Sequence, residues 1–209
     1  MSHEYPKPAL TVDMVVIRFF NGRLEVLLIE RKHPPFEGGW ALPGGFVDQG
    51  ESPAEAAARE LLEETKVEGL PYFEIGTFGT PDRDPRGWVV SNAFVALAPE
   101  SCSAEAGDDA AQAIWHRMEA LPKLAFDHGE IIERAREYLR ERTQLDTTPL
   151  LLLPRKFRTA QARHLYAQLW QDKIPPRPFK AWLRRREAVQ WVGPGRFERS
   201  DALHPEWIR

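Results

Sequence analysis

The sequence predicts an α/β body followed by a small helix-turn-helix unit that closes on a two-stranded ribbon. Three observations carry that expectation. Short runs rich in β-branched and aromatic residues alternate with amphipathic helical stretches as far as residue 142. The helical period then stops over 143–150, and the sign of the charge changes there. Two short helical stretches follow, and then a pair of β runs around Gly193-Pro194-Gly195.

Residues 12–19 and 24–30 are β runs on either side of Asn21-Gly22, the dipeptide favoured in two-residue hairpin turns. Residues 40–47 read as a short strand into a glycine turn. A helix is expected over 52–65: Ser52 suits the N-cap, Pro53 the first helical position, and Glu55 completes a capping box. Strands are expected over 72–79 and 88–98, with the polar loop 80–87 between them. A second helix, 127–142, sets Ile131, Ile132, Ala135, Tyr138 and Leu139 on one stripe. Residues 143–150 read as a linker or hinge. Beyond it, a helix over 159–171 puts Ala162, Leu165, Tyr166 and Leu169 on one face. A further helix over 178–188 carries the stripe Phe179, Trp182 and Leu183. Strands 189–192 and 196–199 complete the outline of a winged helix-turn-helix.

The 209 residues allow one large domain or two small ones, and a 43% hydrophobic, 28% charged composition describes a globular chain. No apolar run is long enough to span a membrane, and the first ten residues lack the apolar core of a signal peptide. The single cysteine, Cys102, excludes an intrachain disulfide framework and a multi-cysteine zinc site. A reducing, cytoplasmic setting is the default expectation. Charge is unevenly spread. Residues 1–146 carry 15 basic and 26 acidic residues, a formal −11, whereas 147–209 carry 13 and 5, a formal +8. A basic module on an acidic body suggests a polyanionic partner, the plainer alternative being that the tail docks on the body.

Glu60, Glu63 and Glu64 stand at i, i+3 and i+4 and so share one helical face. Like charges so placed destabilise a helix by a few tenths of a kcal/mol per pair. A hard divalent cation relieves that repulsion, and Mg²⁺ binds carboxylate oxygens together with substrate phosphates. Arg59 is positioned to orient Glu51 through a bidentate contact. Taken alone, the run would describe a solvated acidic face.

The spacing from Gly45 through Glu51 to Arg59-Glu60-Leu61-x-Glu63-Glu64 resembles the Nudix box, G-x5-E-x7-R-E-U-x-E-E-x-G-U, with U apolar. The last box glycine is replaced by Lys66, which costs about 1 kcal/mol if the left-handed turn is kept. The resemblance implies an α/β/α sandwich with a mixed sheet, bound Mg²⁺ or Mn²⁺, and cleavage of a nucleoside diphosphate linked to another moiety. It makes Glu51, Arg59, Glu60, Glu63 and Glu64 the catalytic set, with Glu60, Glu63 and Glu64 as metal ligands. For the general base it offers only weak candidates, Glu105, Asp108 and Asp109 in a later acidic loop.

Residues 80–92, TPDRDPRGWVVSN, resemble the RDPRG stretch of ADP-ribose pyrophosphatases and of the Nudix-related regulators of NAD metabolism. This implies that Arg83 and Arg86 clamp a diphosphate or ribose, beside Gly44 and Gly45. The alternative pairs these arginines with Asp82 and Asp84 at the surface. Trp88 suits core packing at the start of a strand, or else an adenine platform.

The segments 153–170 and 177–189 resemble the C-terminal domain of those regulators, so that the likeness covers nearly the whole chain. It implies a Nudix domain over 1–143 and a winged helix-turn-helix over 149–209. In that group a homodimer binds a palindromic DNA operator and ADP-ribose releases it, often without hydrolysis. Arg158, Arg177, Lys180, Arg184 and Arg185 are the expected DNA-binding residues, Arg177, Lys180 and Arg184 sharing a helical face away from the apolar stripe. Two functions remain open. One is an ADP-ribose-responsive regulator. The other is a Mg²⁺-dependent pyrophosphatase whose C-terminal unit serves packing or dimerisation.

Overall fold

The computed structural model describes residues 6–107 and 110–200. Its centre is a mixed sheet, seven-stranded among the described residues. The long hairpin β1 (Ala9–Phe20) and β2 (Arg23–Arg31) turns at Asn21 and Gly22, with φ of 48° and 78°. Both central residues have positive φ, as a type I′ turn requires. Strand β3 (Trp40–Ala41) extends the sheet beyond β2, and β4 (Gly44–Phe46) pairs with β1. On the other side of β1, β6 (Val89–Ala98) runs parallel to it and β5 (Tyr72–Phe78) antiparallel to β6. Strand β7 (Ala110–Arg117), absent from the sequence reading, pairs with β2.

Strand β1 is buried on both faces, so its alternation sorts residues between two cores instead of between core and water. Val12, Met14 and Val16 face helix α1 (Pro53–Thr65), where Ala56, Ala57 and Leu61 meet them. Val15, Ile17 and Phe19 face helix α2 (His128–Leu145), whose Ile131, Ile132, Ala135 and Leu139 form the expected stripe. Each of the larger side chains among them (Val, Leu, Ile, Met, Phe) contributes roughly 1.5–3 kcal/mol by leaving water. The result is the α/β/α sandwich.

The segment expected to be a linker is packed. Helix α2 continues to Leu145, and a 3-10 turn, Thr148–Leu152, buries Thr148, Pro149, Leu150 and Leu152. Asp146 holds the start of that turn by accepting the Thr148 N–H at 2.8 Å. The C-terminal unit then adds β8 (Lys156–Arg158), α3 (Thr159–Trp170), α4 (Pro176–Leu183), β9 (Val189–Gly193) and β10 (Arg196–Arg199). The ribbon forms as expected, with β8 as a third strand on β10. Helix α4 starts earlier than predicted and stops at Leu183, five residues short of the predicted end. Leu150, Phe157, Leu165, Leu169, Phe179 and Phe197 belong to the same apolar cluster as the α2 face of the sheet. Among the described residues, no helix is long and apolar enough to cross a membrane.

Candidate active site and nucleic-acid face

Helix α1 begins as the sequence requires. Ser52 accepts from the Glu55 N–H, Glu55 accepts from the Ser52 N–H, and Pro53 opens the helix. It ends with Lys66 at φ 59°, so the left-handed turn is kept despite the missing glycine. The Lys66 N–H still donates to the Leu62 carbonyl at 3.0 Å.

Pairing of β4 with β1 brings Gly44 and Gly45 against the helix. A Cβ on Gly44 would collide with the Val12 carbonyl, so only glycine permits this approach there, whereas one on Gly45 would push aside the Glu60 carboxylate. The Gly44 N–H donates to Glu64 Oε2 at 2.9 Å. Arg59 binds Glu51 in the expected bidentate manner, Nη2 to Oε1 at 2.7 Å and Nε to Oε2 at 3.1 Å. It does more than that: its Nη1 also meets Glu60 at 2.8 Å and Glu63 at 3.2 Å. Hydrogen bonds from Arg59 and from the Asp48 N–H hold the Glu51 carboxyl below its ordinary value. Glu60 is pushed up by burial and by Glu63 and Glu51, against the pull of Arg59.

The three expected metal ligands are therefore near one another but not gathered. Glu60 lies against Gly45, Glu64 is buried on the Gly44 N–H, and the Glu63 side chain is 59% exposed on Arg59. Among the described residues, no trio of His, Cys, Asp or Glu stands ready to hold a metal. The guanidinium of Arg59 instead supplies the positive charge between Glu60 and Glu63. In kind the donors fit a hard divalent ion, all being carboxylate oxygens. Of the general-base candidates, Glu105 is exposed on a loop that covers the end of α1, through its N–H to Thr65 O and that of Gly107 to Glu64 O. Asp108 and Asp109 lie outside the described residues.

Beside the glycines is a cleft of about 80 Å³, lined among others by Asp13, Arg31, Arg83, Arg86, Phe126 and His128. Arg83 is engaged within it. Its side chain is 4% exposed, and the guanidinium forms a bidentate pair with Asp127 at 2.6 and 2.8 Å and a longer contact with Asp13 at 3.4 Å. Asp13 also accepts from the Ser91 hydroxyl at 2.5 Å and lies 3.2 Å from His128 Nε2, while His128 Nδ1 accepts the Leu42 N–H. Burial alone would raise the Asp13 carboxyl, but His128, Ser91 and Arg83 outweigh it and hold it low. Arg86 pairs with Asp84 at 2.6 Å and lies 4.9 Å from the Phe46 ring centroid. Arg86 does pair with Asp84, but Asp84 is buried in the lining of the cleft and not at the surface, and Arg83 turns inward to Asp127 at the start of α2. Trp88 corrects the packing expectation: it is 57% exposed, because Val89 takes the inward position at the start of β6. The sequence reading missed Asp13, Arg31, Phe126 and His128. Only Asp13 had a signal, as an acid inside an apolar strand run.

On the C-terminal unit, Arg158, Arg163, Lys180 and Arg196 surround a concavity of about 620 Å³ at the start of α3, with no acid in its lining. Arg177 is exposed on the first turn of α4. Arg184, the C-cap residue of α4, keeps right-handed helical dihedrals and donates its N–H to the Lys180 carbonyl, so it continues the face of Lys180; its guanidinium carbon sits 5.6 Å from the Trp191 ring centroid, and Arg185 follows in the turn beyond the helix. Arg155 and Lys156 are drawn to Glu198, at 2.9 and 3.8 Å.

Residues 9–135 match the NUDIX domain. The chain belongs to the Nudix family, whose hydrolases generally use a divalent metal. Over 182 residues, 85% of this chain and 72% of the relative, it is 33% identical to the ADPR responsive transcriptional repressor NtrR of Acinetobacter baylyi. Over 136 residues, 65% of this chain and 76% of the relative, it is 44% identical to an ADP-ribose pyrophosphatase of Methanocaldococcus jannaschii. Its fold superposes on that of Shewanella oneidensis NrtR complexed with a 27mer DNA with a TM-score of 0.73 at 28% identity, covering 91% of this chain and 92% of that one.

Proposed function

We propose that the chain is an ADP-ribose-responsive transcriptional regulator of NAD metabolism, acting in the cytoplasm. In this reading residues 1–143 form the Nudix domain, which binds ADP-ribose or a related nucleoside diphosphate. Residues 149–209 form the winged helix-turn-helix, and a homodimer grips a double-stranded DNA operator. The observation that carries the reading is the acid-free basic concavity at the start of α3, built on a body with a complete set of box acids. Arg158 and Lys180 meet phosphates there; Arg177, Arg184 and Arg185 extend the contact along the duplex. The likeness to the Acinetobacter repressor and to the Shewanella DNA complex supports it.

The test is fluorescence anisotropy on DNA from upstream of NAD-synthesis and salvage genes, at two salt concentrations, with and without ADP-ribose. Salt-sensitive binding that ADP-ribose weakens is expected, and the R158A/K180A double variant should lower the slope of log K against log salt by about 2. Absent or salt-insensitive binding would remove the reading.

A second reading, a Mg²⁺- or Mn²⁺-dependent ADP-ribose pyrophosphatase, is favoured by one observation: every acidic position of the box is retained. Glu60, Glu63 and Glu64 would hold the ion, which when bound polarises the diphosphate and lowers the pKa of a water. Arg59 fixes Glu51 and steadies Glu60 and Glu63, while the Gly44 N–H orients Glu64. Following AMP and ribose 5-phosphate release in the same samples separates the two readings.

A further inference from the structure

One guanidinium that lines the cleft has no carboxylate of its own among the described residues. Three guanidiniums line it, those of Arg31, Arg83 and Arg86, against the carboxylates of Asp13 and Asp84. Arg83 is engaged with Asp127 and Asp13, and Arg86 with Asp84. Arg31, the last residue of β2, has no carboxylate within ion-pair distance among the described residues. Its Nε donates to the Pro35 carbonyl at 2.8 Å, and its Nη2 makes a long contact with the His33 carbonyl at 3.5 Å. Its Nη1 donates to nothing among the described residues. Burial and the neighbouring Arg86 both work against its charge, whereas Glu64, Asp84 and Asp13 favour it from beyond pairing distance. A half-buried cation facing a second cation is stabilised by an anion placed between them.

Phe126 sets the spacing of the two. The Arg31 guanidinium carbon is 5.1 Å from its ring centroid and that of Arg86 5.7 Å. Asp84 takes the Nε–Nη2 edge of Arg86 and the Pro35 carbonyl takes Arg31 Nε, so each guanidinium keeps its Nη1 for a ligand, and two such donors against one apolar ring suit a ligand with two adjacent phosphoryl groups.

We propose that Arg31 is the residue that meets the diphosphate of the nucleotide in this cleft, with Arg86 beside it on Phe126, and that Arg83 serves as a positioning residue for the loop. The proposal rests on the reading that the cleft takes an ADP-ribose-type nucleotide. The rival role for Arg31, anchoring the 33–39 loop, is already served in part by the backbone: the Arg31 N–H donates to Gly39 O and the Gly38 N–H to Arg31 O.

Calorimetric titration of the full chain with ADP-ribose, inorganic pyrophosphate and adenosine, with EDTA present so that no turnover intervenes, tests it. R31Q should bind ADP-ribose and pyrophosphate about 100-fold more weakly, and R31K about tenfold, since an ammonium keeps the charge without the fork. Adenosine affinity should be the same in all three proteins. Equal pyrophosphate binding by wild type and R31Q overturns the assignment, as does a parallel loss of adenosine binding. If R31Q does not fold, R31K decides by the same criteria. A wild-type chain that binds neither ADP-ribose nor pyrophosphate overturns the nucleotide reading itself, a result separate from failure of the Arg31 assignment alone.

Discussion

Near residue 146 the formal charge of the chain reverses, from −11 on the body to +8 on the remainder, while apolar packing runs straight across. Leu150 and Leu152 sit in one cluster with Val15 and Ile17 of the sheet and with Leu165 and Phe197 of the C-terminal unit. The two regions differ in the sign of their charge but not in how they are held together. Charge at a surface governs partners, whereas close-packed apolar contact governs what moves as one piece. A nucleotide in the cleft and a duplex on α3 would thus act on a single packed body.

Four changes break or sharpen that comparison. The largest effect is expected on the acidic side. On the pyrophosphatase reading, Glu64→Gln should cut metal-dependent release of AMP and ribose 5-phosphate by about 10³-fold, on the order of 4 kcal/mol of barrier; turnover equal to wild type would refute the ligand assignment. Next comes the shared core. Leu150→Ala should cost about 2–5 kcal/mol and shift one common melting transition. Two separate transitions by calorimetry would mean that the regions are mechanically independent after all. Smaller, and confined to the body, is Lys66→Gly: restoring glycine at φ 59° should raise stability by about 1 kcal/mol in urea titrations.

The smallest effect concerns acid. The folded Asp13 carboxyl lies below its ordinary value of 3.8. Its contribution is complete above that value and is lost as pH falls through the lower, folded one. Asp13→Asn should therefore flatten the decline of melting temperature below about pH 4. An unchanged acid limb would show that the His128–Asp13–Arg83 contacts do not favour the charged form.

The legible parts of the site were local. The spacing of Glu60, Glu63 and Glu64, the Ser52–Glu55 cap and the Glu51–Arg59 pair all depend on residues within a turn or two of one helix and the loop before it. The cleft was not legible, because Asp13, Arg31, Arg83 and His128 come from separate elements that only the sheet topology brings together. The RDPRG motif pointed to a loop that lines the cleft, but motif spacing cannot reveal that Asp127 has taken Arg83. Residues 143–150 are rich in Thr and polar residues and so resemble a linker. What closes them down is Leu150 and Leu152, whose burial depends on distant strands. Strand β7 escaped notice because only Ala110 in it is fully buried, which leaves no clean period of two.

The tip of a β-hairpin is usually the first place chosen for grafting a reporter peptide or a dye. Here that choice would be a poor one: a side chain on Gly22 would press on the His164 ring, which itself stands edge-on to Phe19 at 5.9 Å. The turn is a bearing surface for α3, and cargo attached there would prise the helix from its seat. Glu68, exposed beside the Gly69 bend, is the better handle, Gly69 itself being held at φ 69° where a side chain is strained.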